Sequence, residues 1–183
     1  EILYDPKPGP SGFGRNENID RVRHRGVEAS IVYRPAGWVE VYANYTYDNT
    51  KIREYKKNPA VVGNQLPITP QNRGTLGFNL FLPFEPFDRL EVGANANIVG
   101  PRYVANDLMN RAPQLPSYGT VDLHGRIGKK VWNWVDITLF FEVRNLGDEK
   151  YSQFAGLDSG GIVGFYPSPG TNFDVGLTFA IEH

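Results

Sequence analysis

Thr171-Asn-Phe-Asp-Val-Gly-Leu-Thr-Phe-Ala-Ile-Glu182 alternates without a break. Phe173, Val175, Leu177, Phe179 and Ile181 fall on one side of an extended chain, and Asn172, Asp174, Gly176, Thr178, Ala180 and Glu182 on the other. Strand side chains alternate with period 2, so the stretch reads as a strand with one apolar and one polar face. It is long for a strand. Globular strands run about 5 or 6 residues, whereas a tilted strand that crosses a bilayer needs about 9–11.

The same design recurs upstream. Val27, Ala29, Ile31 and Tyr33 share a face in 18–34, as do Val39, Val41, Ala43, Tyr45 and Tyr47 in 38–48. Leu76, Phe78, Leu80 and Leu82 do so in 74–82, and Leu90, Val92, Ala94, Ala96 and Ile98 in 89–99. Val121, Leu123 and Ile127 continue the pattern in 118–128, and Val135, Ile137, Leu139, Phe141 and Val143 in 134–144. With a stub at Glu1–Tyr4 this predicts about eight strands, all antiparallel, up and down.

A soluble β-sandwich also has one apolar face per strand, so alternation alone does not decide. Connections decide first: 50–72, 100–117 and 145–170 are long, whereas 35–37, 83–88 and 129–133 are short, in strict alternation. Membrane barrels place long loops on one side and tight turns on the other. The proposed outward faces carry no charge, and Lys51, Lys56, Lys57, Lys129, Lys130 and Lys150 fall in connections or at strand ends. A cation at the bilayer midplane would cost about 2–4 kcal/mol. Trp38, Trp132, Trp134 and Tyr33 flank the short turns, and Tyr45 and Tyr47 approach the opposite rim, as interfacial girdles do. The expected fold is all-β: an antiparallel up-and-down transmembrane β-barrel, about eight strands of a larger barrel. A soluble β-sandwich binding module, for instance for carbohydrate, and a complete small outer-membrane barrel are the alternatives.

Composition closes off other classes. The 183 residues carry a net charge of −1 and no Cys, so neither a nucleic-acid surface nor a disulfide or thiolate-metal framework is expected. The 20 Gly and 14 Pro suit strands and turns.

Several motifs resemble the C-terminal part of TonB-dependent outer-membrane receptors, over Asn18 to Ile181. Arg25-Gly-Val-Glu28 looks like that family's strand start and Tyr33-Arg-Pro35 like its periplasmic turn. Val143-Arg-Asn-Leu146 with Asp148 and Tyr151 resembles its penultimate-strand motif, the most specific of the set. Pro167-Ser-Pro-Gly170 before Asn172-Phe173 resembles the start of its last strand. Asp174, Gly176, Phe179 and Ile181 fit the spaced signal that barrel-assembly machinery reads on final strands. Thr171, Gly147 and the Ile181-Glu-His183 ending depart from the family's pattern. The resemblance implies one C-terminal segment, residues 1–183, without a plug domain. It implies a bacterial outer-membrane wall for uptake of metal chelates of the siderophore, haem or cobalamin class. TonB would act only through an N-terminal part outside these residues.

Catalytic chemistry is not expected: His24, His124 and His183 stand apart from metal-ligand spacings, and no glycine-rich loop leads into a helical pattern. No enzyme, cofactor or metal site is predicted. His124 beside Asp122 and Arg126 reads as a luminal hydrogen-bond network. Ligand contacts are expected in the long loops, with Arg102, Tyr103, Asn106, Asp107, Arg111, Tyr151 and Phe154 as candidates. Arg21, Arg23 and Arg25 continue the outward register of Val27, above the membrane. Solvated charges would explain them; the sharper expectation is contact with lipopolysaccharide phosphates.

Overall fold

The computed structural model describes residues 2–5, 15–131 and 134–181. Glu1, the linker 6–14, Trp132 and the 182–183 end lie outside the described residues, so the expectations for Trp132, Glu182 and His183 do too. The chain runs β1 Ile2–Asp5, β2 Arg15–Asn18, β3 Arg21–Ala36, β4 Val39–Glu54, β5 Asn72–Phe84 and β6 Phe87–Val99. It continues with β7 Tyr118–Val131, β8 Val135–Arg144, β9 Ser152–Leu157, β10 Val163–Pro167 and β11 Asn172–Ile181. Seven strands form one antiparallel sheet in the order β11-β8-β7-β6-β5-β4-β3. Among the described residues the sheet is open: β3 and β11 each have a neighbour on one side only. Among the described residues no helix is long and apolar enough to cross a membrane.

Register fixes the faces. Val27 pairs with Tyr47, Val41 with Phe78, Leu80 with Val92, Ala94 with Leu123, Ile127 with Leu139 and Leu177 with Leu139. Opposed residues share a face. All the apolar sets named in the sequence therefore lie on one surface of one sheet. That surface is open, with Phe173 at 77%, Val27 at 63% and Leu177 at 59% exposure. Burying such a side chain is worth about 1.5–3 kcal/mol. Leaving the five on β11 in water would forgo about as much as a typical domain's whole stability, roughly 5–15 kcal/mol. Lipid is the solvent that removes this cost. A sandwich would instead press these faces together, so that alternative fails.

Buried apolar side chains gather elsewhere. Ile19, Ile52, Tyr55, Val61 and Leu108 form one cluster, and Val104, Leu115 and Ala155 another, both at the long-loop end. The opposite end has tight turns at Gly37-Trp38 and Glu85-Pro86, with Trp38, Phe84, Phe87 and Trp134 exposed beside them. The Phe84 and Phe87 rings stack at 5.6 Å.

Most strand ends shift by a few residues from the sequence reading, and three differences are larger. Strand β4 continues past Asp48 to Glu54, because Ile52 turns into the first loop cluster and is fully buried. The loop 145–170 is not irregular throughout: β9 and β10 pair as a hairpin, from Val163↔Leu157 to Tyr166↔Phe154. The stub β1 joins β2 in a separate two-stranded sheet, so the main sheet holds seven strands.

Candidate functional site

The polar surface of the sheet is knitted by side-chain bonds within strands, between neighbours and across an intervening strand. Arg89 Nη2 donates to Asp136 at 2.7 Å, and Arg144 Nη2 reaches Glu142 at 2.9 Å and Asp174 at 3.1 Å. Arg34 Nε donates to Glu40 at 2.6 Å. A His124 ring nitrogen lies 2.8 Å from Asn79 Oδ1 on β5, and His124 sits opposite Glu142, whereas its expected neighbours Asp122 and Arg126 bond elsewhere, Asp122 to Asn95 and Asn97 and Arg126 to Glu91. No group of three or more potential metal ligands occurs among the described residues.

Near the loops this surface hollows into a recess of about 380 Å³, lined by Asn97, Tyr118, Asp122, Arg144, Tyr151, Gln153 and others. The Tyr118 and Tyr151 rings stack at 4.0 Å. Arg102 lies 5.5 Å from the centre of the Tyr118 ring, a cation–π distance. Its Nη2 donates to the carbonyls of Ser152 at 3.0 Å and Gln153 at 2.7 Å, which anchors β9 over the recess. Burial lowers the Arg102 pKa from its ordinary value, and the negative side of Tyr118 opposes that shift.

The seven loop candidates do not converge. Tyr151 alone lines the recess. Arg102 and Asp107 are buried in loop architecture, where Asp107 accepts the amides of Arg111 at 3.0 Å and Ala112 at 2.9 Å. Asn106 Nδ2 donates to the Leu157 carbonyl at 3.1 Å, and the Tyr103 carbonyl accepts the Ile68 amide at 2.8 Å. The Arg111 side chain is exposed, and Phe154 meets Tyr166 edge-on at 5.3 Å on the hairpin.

The residue that sequence reasoning missed as an individual is Asn145. It is buried, with a left-handed φ of 53°, which Asn tolerates better than most residues. Its side chain accepts the Glu149 amide at 2.9 Å and donates to the Glu149 and Pro169 carbonyls. Its carbonyl accepts Thr171 Oγ1 at 2.8 Å. The signal was the Val143-Arg-Asn-Leu146 motif, which Asn145 explains: it gathers the loop root to the start of β11.

Of the three arginines expected to face outward, Arg21 has a carboxylate partner. A register shift between Arg21 and Val22 pairs Arg21 with Glu54, whose carboxylate lies 3.7 Å from the guanidinium. Arg23 and Arg25 stay on the face of Val27, opposite Lys51 and Asn49.

Residues 1–146 match the family model described as TonB dependent receptor-like, beta-barrel. Similar solved structures include BauA, the ferric preacinetobactin receptor of Acinetobacter baumannii, at 19% identity and a TM-score of 0.69. That likeness covers 98% of this chain and 25% of BauA. The ferric citrate transporter FecA shares 21% identity with a TM-score of 0.65, over 87% of this chain and 24% of its own. The copper transporter OprC shares 22% with a TM-score of 0.64, over 98% and 26%. These residues thus span about a quarter of the chains they resemble. The chain belongs to the TonB-dependent receptor-like β-barrel family.

Proposed function

We propose that these residues form the C-terminal part of the wall of a receptor that imports metal chelates, siderophores foremost among the siderophore, haem and cobalamin classes. The observation that carries this reading is the recess beneath the long loops, where Tyr118 and Tyr151 stack beside Arg144 and Gln153. Aromatic faces with a few placed polar groups suit a planar, oxygen-rich chelate. TonB acts through an N-terminal part outside these residues. Asp174, Gly176, Phe179 and Ile181 on β11 serve as the signal for barrel assembly.

The test is a titration of the full-length receptor with ferric citrate, a ferric catecholate and a ferric hydroxamate, followed by quenching of intrinsic fluorescence. Saturable quenching by one chelate, weakened about tenfold by Tyr151→Ala (about 1.4 kcal/mol), supports the reading. Absence of saturable quenching with all three refutes the siderophore class.

A further inference from the structure

On the lipid side of β3 and β4, four cations stand together just beyond the apolar band. Val22 pairs with the fully buried Ile52, so their neighbours Arg23 and Lys51, themselves paired, point the other way, with Val27 and Tyr47. Arg25 follows two residues below Arg23, and Arg53 two residues above Lys51. Arg25 and Arg53 lie close enough to Arg23 to repel its charge. The height is informative. From Val39 to Tyr47 the outward side of β4 is apolar or aromatic, about 26 Å of strand at 3.3 Å per residue, or about 20 Å of height at the roughly 35–45° tilt of barrel strands. The cations begin just past Tyr47 on the long-loop side, at the rim where the apolar band gives way to headgroups.

These charges differ from those on the lumen side. Arg34, Arg89, Arg126 and Arg144 each have a carboxylate within 4 Å. Arg23, Arg25, Lys51 and Arg53 have none among the described residues, and Arg23 Nε is buried without a hydrogen-bond partner. On the adjoining strands Asn72 stands opposite Tyr47, and Gly74, Ile98 and Gly119 stand in register with Tyr45, none of them charged. A concentrated, unneutralised group of guanidinium and ammonium donors at headgroup depth calls for a multivalent anion.

We propose that Arg23, Arg25, Lys51 and Arg53 form a binding site on the lipid-facing wall for the phosphate groups of one phosphorylated outer-leaflet lipid. The acyl chains of that lipid lie along Val27, Ile31 and Tyr45, which are exposed directly below. Arg21 is not part of the site, since Glu54 neutralises it.

The experiment uses the full-length receptor purified from outer membranes in mild detergent. Native mass spectrometry reads bound lipid, and the probe is diphosphorylated lipid A, with its dephosphorylated form and inorganic phosphate as separate arms. The expected result is a stoichiometric lipid A adduct that falls at least tenfold in the Arg23→Gln/Arg25→Gln/Lys51→Gln/Arg53→Gln variant. The adduct should persist in Arg21→Gln. Should the fourfold variant fail to show the heat-modifiable gel shift of a folded barrel, Arg23→Gln/Lys51→Gln takes its place. Equal retention by wild type and variant overturns the proposal. So does equal binding of the dephosphorylated lipid, or displacement of lipid A by equimolar inorganic phosphate.

Discussion

The carboxylate of Asp122 on β7 accepts the backbone amide of Asn145 at 2.8 Å, tying the top of one luminal strand to the loop root that follows β8. Its second oxygen accepts Asn95 at 3.0 Å and Asn97 at 2.9 Å from β6. One carboxylate thus fixes the rim of three elements. Asp122→Ala removes every one of these acceptors, and a buried polar group left unpaired costs about 1–3 kcal/mol. The expected outcome is faster hydrogen–deuterium exchange at Asn145 and through 149–170, with Asp122→Asn milder. Unchanged exchange in Asp122→Ala would remove Asp122 from this role.

Asn145→Ala should act on the same loop by a different route. It deletes the side-chain bonds to Glu149 and Pro169 and places a residue poorly suited to a φ of 53°. Limited proteolysis of the folded receptor should cut within 149–170 several times faster than in wild type. Asn145→Gly, which keeps the backbone form but not the clamp, separates the two contributions.

Gly26 on β3 faces the carbonyl of Tyr47 so closely that an added Cβ would run into backbone, which cannot swing aside. Gly37 in the turn has open space around it. Gly26→Ala should lower the yield of heat-modifiable barrel by disturbing the β3–β4 pairing, and Gly37→Ala should leave it unchanged. Equal yields would overturn that contrast.

A charge on the open apolar surface tests which solvent it meets. Leu177→Arg should destabilise the receptor in lipid vesicles by about 2–4 kcal/mol if it lies near the midplane, read from urea unfolding. Thr178→Arg, one residue away on the polar side, should cost much less. A sheet with its apolar side in water would gain solubility from Leu177→Arg.

Asp148, in the loop, carries a predictable acid dependence. The Lys150 ammonium, 2.8 Å away, and then the Thr171 amide at 3.2 Å hold its carboxyl below the ordinary range. A folded-state pKa below the unfolded one, about 3.9, gives a tether fully present above that pH. It is lost as pH falls through the lower folded value. Carboxyl carbon shifts should titrate below a free aspartate, and Lys150→Gln should move the midpoint upward.

The faces of the strands were legible because period 2 is a local property: Phe173 to Ile181 announce their side whatever surrounds them. The ends were less so. Thr50-Lys-Ile-Arg-Glu54 reads as a polar connection, and only the distant Ile19, Val61 and Leu108 make Ile52 a buried strand residue. The bulge that turns Arg21 toward Glu54 is likewise a product of pairing and leaves no trace in alternation. The β9–β10 hairpin is too short for its alternation to stand out against 20 Gly and 14 Pro. For the ligand region, residue type pointed at the loops, but Arg102 and Asp107 are used up in holding them.

Among the described residues the two water-type cores both sit above the sheet, and the wall itself has none. The chain therefore keeps two adhesives on separate floors. A chaotrope that weakens the avoidance of water acts first on the upper floor, where Ile52, Val104 and Leu115 depend on it. The ribbons below rest on main-chain hydrogen bonds screened by acyl chains, which such agents reach poorly. Moderate guanidinium should melt the crown and leave the staves upright, two transitions where a soluble domain of this size would show one.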